Sequence, residues 1–150
     1  MKASEAIKLF LQQPDIAVVG VSRNKNKFGN TVYTTLKKKG IRVIPVNPHL
    51  SVFEGDRCYP SIDALPSHVK AVFVNTPPEQ TIGIVEKAIG RGIQHLWLQQ
   101  GSTNAEVMNY LEGKDINCIT DRCIMMFAEP VGSFHRFHRF LSKISGNLPK

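Results

Sequence analysis

No apolar run in this sequence approaches the roughly 20 residues needed to span a bilayer, so a membrane-spanning chain is not expected. The opening stretch "MKASEAIKLFLQQPD" lacks an uninterrupted apolar segment and a small-residue cleavage site, so it reads as a short opening helix and not as a signal peptide. Only three cysteines are present, Cys58, Cys118 and Cys123, too few to pair completely within the chain. With no export signal, reduced thiols in a cytoplasm are the expectation. No internal repeat and no low-complexity segment interrupts the 150 residues, a length that suits one domain, 1–150, around one core. Acids are missing from two places. Residues 23–42 hold Arg23, Lys25, Lys27, Lys37, Lys38, Lys39 and Arg42 with no Asp or Glu, and residues 131–150 hold Arg136, Arg139, Lys143 and Lys150 with none. The formal net charge of +7 is therefore concentrated. Such blocks attract phosphate, nucleic acid or anionic lipid, or simply form a solvated surface.

What is present alternates. "IAVVGV" (16–21) is a β-branched run suited to a buried strand. "NTVYTTLKKKG" (30–40) reads as a helix, with Asn30 able to cap its start, lysines at its negative end and Gly40 closing it. "IRVIPV" (41–46) is the next strand, its end marked by Pro45. "YPSIDALP" (59–66) reads as a loop with about one helical turn, and "KAVFVN" (70–75) as a third strand. In "TPPEQTIGIVEKAIGRG", Thr76 and Glu79 match a capping box, Pro77 fits the first helical position, and Gly90 or Gly92 ends the run. "IQHLWLQ" (93–99) and "INCIT" (116–120) are further strands. Between them lies a helix at 102–113, with Thr103 and Glu106 as a second capping box, and 133–144 reads as a final helix. This order predicts an α/β fold: a small doubly wound, three-layer domain with a five-stranded, mainly parallel sheet and helices on both faces. Ligands in such sheets bind at the carboxyl ends of the strands. The loops 20–30, 46–55, 75–80, 98–102 and 120–127 are therefore the candidate site.

The first of these loops departs from the dinucleotide pattern. That pattern needs G-x-G-x-x-G after the first strand and an acid about 20 residues on. Here Gly20-Val21-Ser22 is followed by no glycine until Gly29, and Asn47 stands where the acid belongs. The longer loop still suits phosphate. Gly20 permits close backbone approach, Ser22 offers a hydroxyl, the following helix presents free N–H groups, and Arg23, Lys25 and Lys27 add charge. A ligand with more phosphate than NAD is the natural candidate.

At "IAVVGVS", "RVIPVNP", "G…YPSI" (55–62), "VFVNTP", "HLWLQQG" and "DRC" the chain resembles the small stand-alone CoA-binding domain proteins, which are similar to the N-terminal domain of the succinyl-CoA synthetase alpha subunit. The resemblance runs from about residue 14 to 124. It implies a Rossmann-like fold that binds coenzyme A or an acyl-CoA. It places Gly20, Ser22, Arg23 and Lys27 around the phosphates, and Val46, Asn47 and Pro48 near the adenosine. It places Asn75, Thr76 and Pro77 after the third strand, and Gln99, Gln100 and Gly101 after the fourth, along the cleft. Read alone, Gln99 and Gln100 also suit strand-end residues satisfying the backbone, and Pro48 suits a simple turn. Nothing matches the alpha subunit's second domain with its phosphorylated histidine, so ligation of an acyl-CoA by this chain alone is not expected.

Other constellations are weaker. Cys118, Cys123, His135 and His138 are four potential metal ligands, but their spacing is no strong zinc pattern, and no metal site is expected. Cys123 could form a mixed disulfide with CoA only if exposed and with a lowered pKa. Ser22 lacks the G-x-S-x-G elbow of a nucleophile, and His49, His68 and His95 have no evident partners. Phe134, Phe137, Leu141 and Ile144 share one face of the final helix and its cations lie largely elsewhere, which suits a cover for the sheet edge, a homodimer seam, a protein partner or a helix lying on a membrane. No RNA or DNA module is recognisable, and nucleic acid is not an expected partner. The main functional expectation is a non-catalytic binding or sensing module. Its rivals are a partner-dependent subunit of an acyl-CoA-using enzyme and a redox-sensitive nucleotide sensor with a DNA-binding partner.

Overall fold

A strand covered on both faces has no polar side, and Asp15–Val19 (β1) is buried at every position. The computed structural model describes residues 2–127. Ala3–Leu11 forms α1, Phe28–Lys38 α2 and Arg42–Val46 β2. Val52–Phe53 (β3) and Asp56–Arg57 (β4) form a small antiparallel hairpin. Ala71–Val74 is β5, Pro78–Gly90 α3, His95–Gln99 β6, Ala105–Leu111 α4 and Asn117–Arg122 β7. Short 3₁₀ turns cover Ile62–Ala64 and Ile124–Met126. The five long strands pair in the order β2-β1-β5-β6-β7, every pair parallel. The chain steps outward from β1 to β2, then crosses to β5 on the other side of β1. The order of the sheet therefore reverses between β1 and β5.

Alternation along the strands splits the core in two. Ile16, Val18, Phe73 and Trp97 face α1 and α2, meeting Ile7, Phe10, Val32 and Leu36. Ala17, Val19, Val72, Val74, Leu96 and Leu98 face α3 and α4, meeting Val85, Ala88 and Val107. Helices on both faces of a parallel sheet make the expected three-layer Rossmann-like architecture. Trp97 anchors the first layer: its ring lies 5.5 Å from Phe10 and 5.7 Å from Phe127, and its indole N–H donates to Arg122 O at 3.1 Å. Pro45 sits within β2, one residue before its end, opposite Val18. An edge strand tolerates it because the missing N–H costs no ladder bond, and its carbonyl accepts Tyr59 N at 2.9 Å.

Several local expectations are corrected. Helix α2 starts at Phe28, two residues before Asn30, and its N-cap Lys27 makes no side-chain cap. Thr76 and Glu79 form no capping box: Pro77 is the N-cap of α3, Pro78 takes the first helical position, and the Thr76 hydroxyl meets that of Thr81 at 2.7 Å. In α4 the cap is Asn104, whose side chain accepts Val107 N at 3.0 Å, in place of Thr103. The hairpin β3–β4 was not expected. Its turn residues Glu54 and Gly55 both take positive φ, 51° and 79°, as a tight two-residue hairpin requires. The helix expected over 133–144, and any partner surface on it, lie outside the described residues.

The hairpin is fastened to α2 at one carboxylate. Asp56 Oδ2 accepts from the Tyr33 hydroxyl and from Lys37 Nζ, the latter at 2.6 Å, while Phe53 packs edge-on against Tyr33 at 5.0 Å. The hydrogen bond from Lys37, then that from Tyr33, hold the Asp56 carboxyl below its ordinary value of 3.8. Burial, then Asp56, push the Tyr33 hydroxyl up. A carboxylate with a depressed folded pKa stabilises the fold above its unfolded pKa and loses that contribution as pH falls through the folded value. Urea midpoints of wild type and Asp56→Asn are therefore expected to differ most above the ordinary carboxylate value of about 4, and to converge as pH falls through the depressed folded value. A gap that is constant with pH would rule out this linkage.

Candidate functional site

The loops that follow the strands leave the sheet at one end, and the reversal between β1 and β5 sets two of them apart from their neighbours. The floor of this cleft is backbone packed on backbone. Gly20 takes φ 137°, and a Cβ there would lie 2.7 Å from Asn75 O. Gly29, in the first turn of α2, lies closer still: a Cβ there would overlap the Gly20 carbonyl oxygen. Asn75 N donates to Val19 O at 2.8 Å, extending the β1–β5 ladder past the strand ends. The start of α2 and the end of β1 thus meet backbone to backbone, and the end of β5 closes on Gly20 through the backbone and Cβ of Asn75.

The first loop is held from within. Asn30, expected as a helix cap, instead reaches back: its Oδ1 accepts Ser22 N at 2.8 Å, and its Nδ2 donates to Ser22 O at 2.8 Å and to Asn24 O at 3.1 Å. The Ser22 hydroxyl accepts Asn24 N at 3.1 Å, which leaves its own hydrogen available to donate. Arg23, Lys25 and Lys27 are exposed, and among the described residues no acid pairs with them. Arg23 Nη2 donates to His49 O at 2.9 Å, which draws the guanidinium toward the loop after β2. No acid lies in the first turn of α2, so the positive end of its dipole is not offset there.

The other predicted residues lie at or just after the ends of β2, β5 and β6. Val46 is buried and Asn47 half-buried, while Pro48 and His49 are exposed. Asn75 and Thr76 are half-buried beside Gly20, Pro77 is exposed, and Thr76 N donates to the Ser102 hydroxyl at 3.2 Å. After β6, Gln100 and Gly101 are exposed. Gln99 is buried, and its Oε1 accepts Ile124 N at 3.0 Å, the strand-end role that its sequence also allowed. Sequence reasoning passed over Gly29, Asn30 and Ser102 as site residues. Their roles rest on contacts made across the fold, although the conspicuous gap from Gly20 to Gly29 was a signal for the first.

The described cavities lie elsewhere. One of about 480 Å³ runs along the free edge of β2, and one of about 400 Å³ lies between α4 and β7. In the first, Asp15 pairs with Arg42 at 3.2 Å and His68 at 3.3 Å, and Asp56 pairs with Lys37, so its charges largely satisfy one another. The cations of the switch-point loop face no such acids, and that cleft is the better candidate for an anionic ligand. Among the described residues no three His, Cys, Asp or Glu side chains are grouped to hold a metal, and His135 and His138 lie outside those residues. Burial pushes the Cys58 thiol up and the Cys118 thiol up to about 12, so neither is a poised nucleophile. Among the described residues no helix is long and apolar enough to cross a membrane.

Known proteins are similar to this chain over most of its length. An uncharacterized protein of Bacillus subtilis, YneT, is 31% identical over 119 residues, 79% of this chain and 88% of that one. An ADP-forming acetate–CoA ligase (I) of Archaeoglobus fulgidus is 23% identical over 134 residues, 83% of this chain but only 20% of the ligase. A solved structure of a conserved hypothetical protein from Pyrococcus furiosus superposes with a TM-score of 0.71 at 36% identity, covering 74% of this chain and 96% of that one. The profile of the family described as CoA binding domain matches residues 14–129, most of the sequence. By that match the chain belongs to the CoA binding domain family.

Proposed function

We propose that this protein, a single domain over 1–150, binds coenzyme A or an acyl-CoA in the switch-point cleft and works in the cytoplasm as a binding or sensing module without chemistry of its own. The carrying observation is the acid-free cationic loop 20–27, closed onto Asn75 and α2, with Asn47 in place of the ribose-binding acid. In this reading the Ser22 hydroxyl and the N-terminal end of α2 meet phosphate oxygens, with Arg23 and Lys27 supplying charge. Val46, Asn47 and Pro48 border the adenosine, and Asn75, Thr76 and Pro77 form the opposite wall. Gln100 and Gly101 extend it toward the pantetheine arm, and Gln99 supports that wall from inside. CoA carries a pyrophosphate and a 3′-phosphate, so it rewards cations where NAD rewards a carboxylate.

Thermal unfolding with CoA, dephospho-CoA, NAD and ATP in parallel tests this reading. A ligand at about 100 times its dissociation constant adds roughly 2.7 kcal/mol, and the expected order of stabilisation is CoA, then dephospho-CoA, with NAD last. Stabilisation by NAD without CoA would overturn the reading. A second reading is a partner-dependent subunit of an acyl-CoA-using enzyme, favoured by the match to one-fifth of a ligase. It predicts a co-purifying protein and acyl-CoA turnover by the pair, and an inert isolated protein counts against it.

A further inference from the structure

Asn47 is the first residue after β2, and both ends of its carboxamide are committed to backbone. Its Nδ2 donates to Val21 O at 2.8 Å, and its Oδ1 accepts His49 N at 2.7 Å. Its own N–H donates to Tyr59 O at 2.9 Å, which fixes the residue from behind. Beside it, Arg23 donates to His49 O at 2.9 Å. Two bonds in opposite directions thus join the loops: Asn47 reaches from the second to the first, and Arg23 from the first to the second. We infer that Asn47 is a positioning residue that latches these loops together, and that the latch sets selectivity for a phosphate-rich CoA-type ligand over a dinucleotide with free ribose hydroxyls. This rests on the function proposed above.

The chemistry of the side chain makes the case. A primary amide carries a donor and an acceptor on one short stem, and an ionised carboxylate is acceptor-only. Aspartate at this position would face the Val21 carbonyl with a second acceptor at the 2.8 Å spacing now occupied by a hydrogen bond. It would repel the Val21 carbonyl and lose that bond between the loops. The acid that binds ribose in NAD proteins therefore cannot be installed here without opening the latch. Asn47 excludes NAD by more than the absence of a charge.

The test uses the full chain with Asn47→Asp and Asn47→Ala. Nuclear Overhauser contacts between residues 21–23 and 47–49 in the ligand-free proteins read the latch without reference to any ligand. They are expected to weaken at least twofold in both Asn47→Ala and Asn47→Asp, neither of which keeps the donor to Val21 O. Titrations with CoA and NAD read selectivity: Asn47→Asp is expected to bind CoA at least tenfold more weakly and to gain no NAD binding. Unchanged contacts between residues 21–23 and 47–49 in Asn47→Ala overturn the latch. CoA binding by Asn47→Asp within twofold of wild type, or acquired NAD binding, overturns the selectivity role. Failure of the wild type to bind CoA overturns the function proposed above and the selectivity role with it, and the loop contacts still decide the latch. Asn47→Asp is near-isosteric, so it serves where Asn47→Ala fails to fold.

Discussion

Gly29→Ala is expected to destabilise the protein by about 3 kcal/mol, at the upper end of ordinary overpacking, and to abolish CoA binding. In a helix interior alanine is normally better than glycine by about 1 kcal/mol, so propensity argues the opposite way. Packing decides the sign. The added methyl would meet the oxygen, the carbonyl carbon and the Cα of Gly20, all backbone, with no flexible side chain to yield. Gly20 is itself tightly packed against Asn75, which leaves it little room to yield. A close-packed interior passes such a displacement on, so α2 must lift from β1 and the cleft floor opens. Thermal unfolding should show a midpoint lowered by roughly 10 °C for this loss at this chain length. Gly83→Ala in α3 is the control. A Cβ there meets nothing within 4 Å, and the midpoint should hold or rise. Equal midpoints for Gly29→Ala and wild type would refute the packing account.

Lys25→Glu/Lys27→Glu is expected to weaken CoA binding roughly 30-fold while leaving the fold intact, since each reversed charge near a phosphate is worth on the order of 1 kcal/mol even in high dielectric. Both lysines are exposed and, among the described residues, paired with no acid. Surface substitutions of this kind usually change stability by no more than about 0.5 kcal/mol. A glutamate at position 27, the N-cap of α2, would even complement the helix dipole. Binding and stability are thereby separated, which Arg23 does not allow because its guanidinium also holds His49. Titration at two salt concentrations completes the test: the wild-type affinity should fall with salt and that of the double variant should not. Wild-type affinity in the double variant would remove the cationic loop from the site.

The architecture was legible because it is written in short-range pattern. The all-buried run at β1, the recurrence of strand and helix, and the lysines and glycine that end α2 are each readable within a few residues. So was the failure of the NAD pattern, which needs only a glycine count and the identity of residue 47. Pro45 was read nearly right, one residue early, because a proline in a strand is tolerated only where its missing N–H faces no partner. The hairpin was missed because strands of two residues carry too little periodicity to register.

The site was legible as a set of loops but not as a set of bonds. Asn30 sits where a cap could be, yet its partner is Ser22, eight residues back and across a loop. Gln99 sits at a strand end facing the predicted cleft, yet its oxygen is taken by Ile124, 25 residues on. Asn47 could be seen to break the NAD pattern, but its hold on Val21, 26 residues away, could not. By itself the sequence determined which elements form, which faces they bury and where charge accumulates, because those follow from neighbours along the chain. The tertiary structure alone decided which polar side chains are spent on backbone and which stay available to a ligand. A short amide or hydroxyl bonds whatever the fold brings within 3 Å, and that partner is set by the parallel register of β2, β1 and β5 rather than by any local pattern.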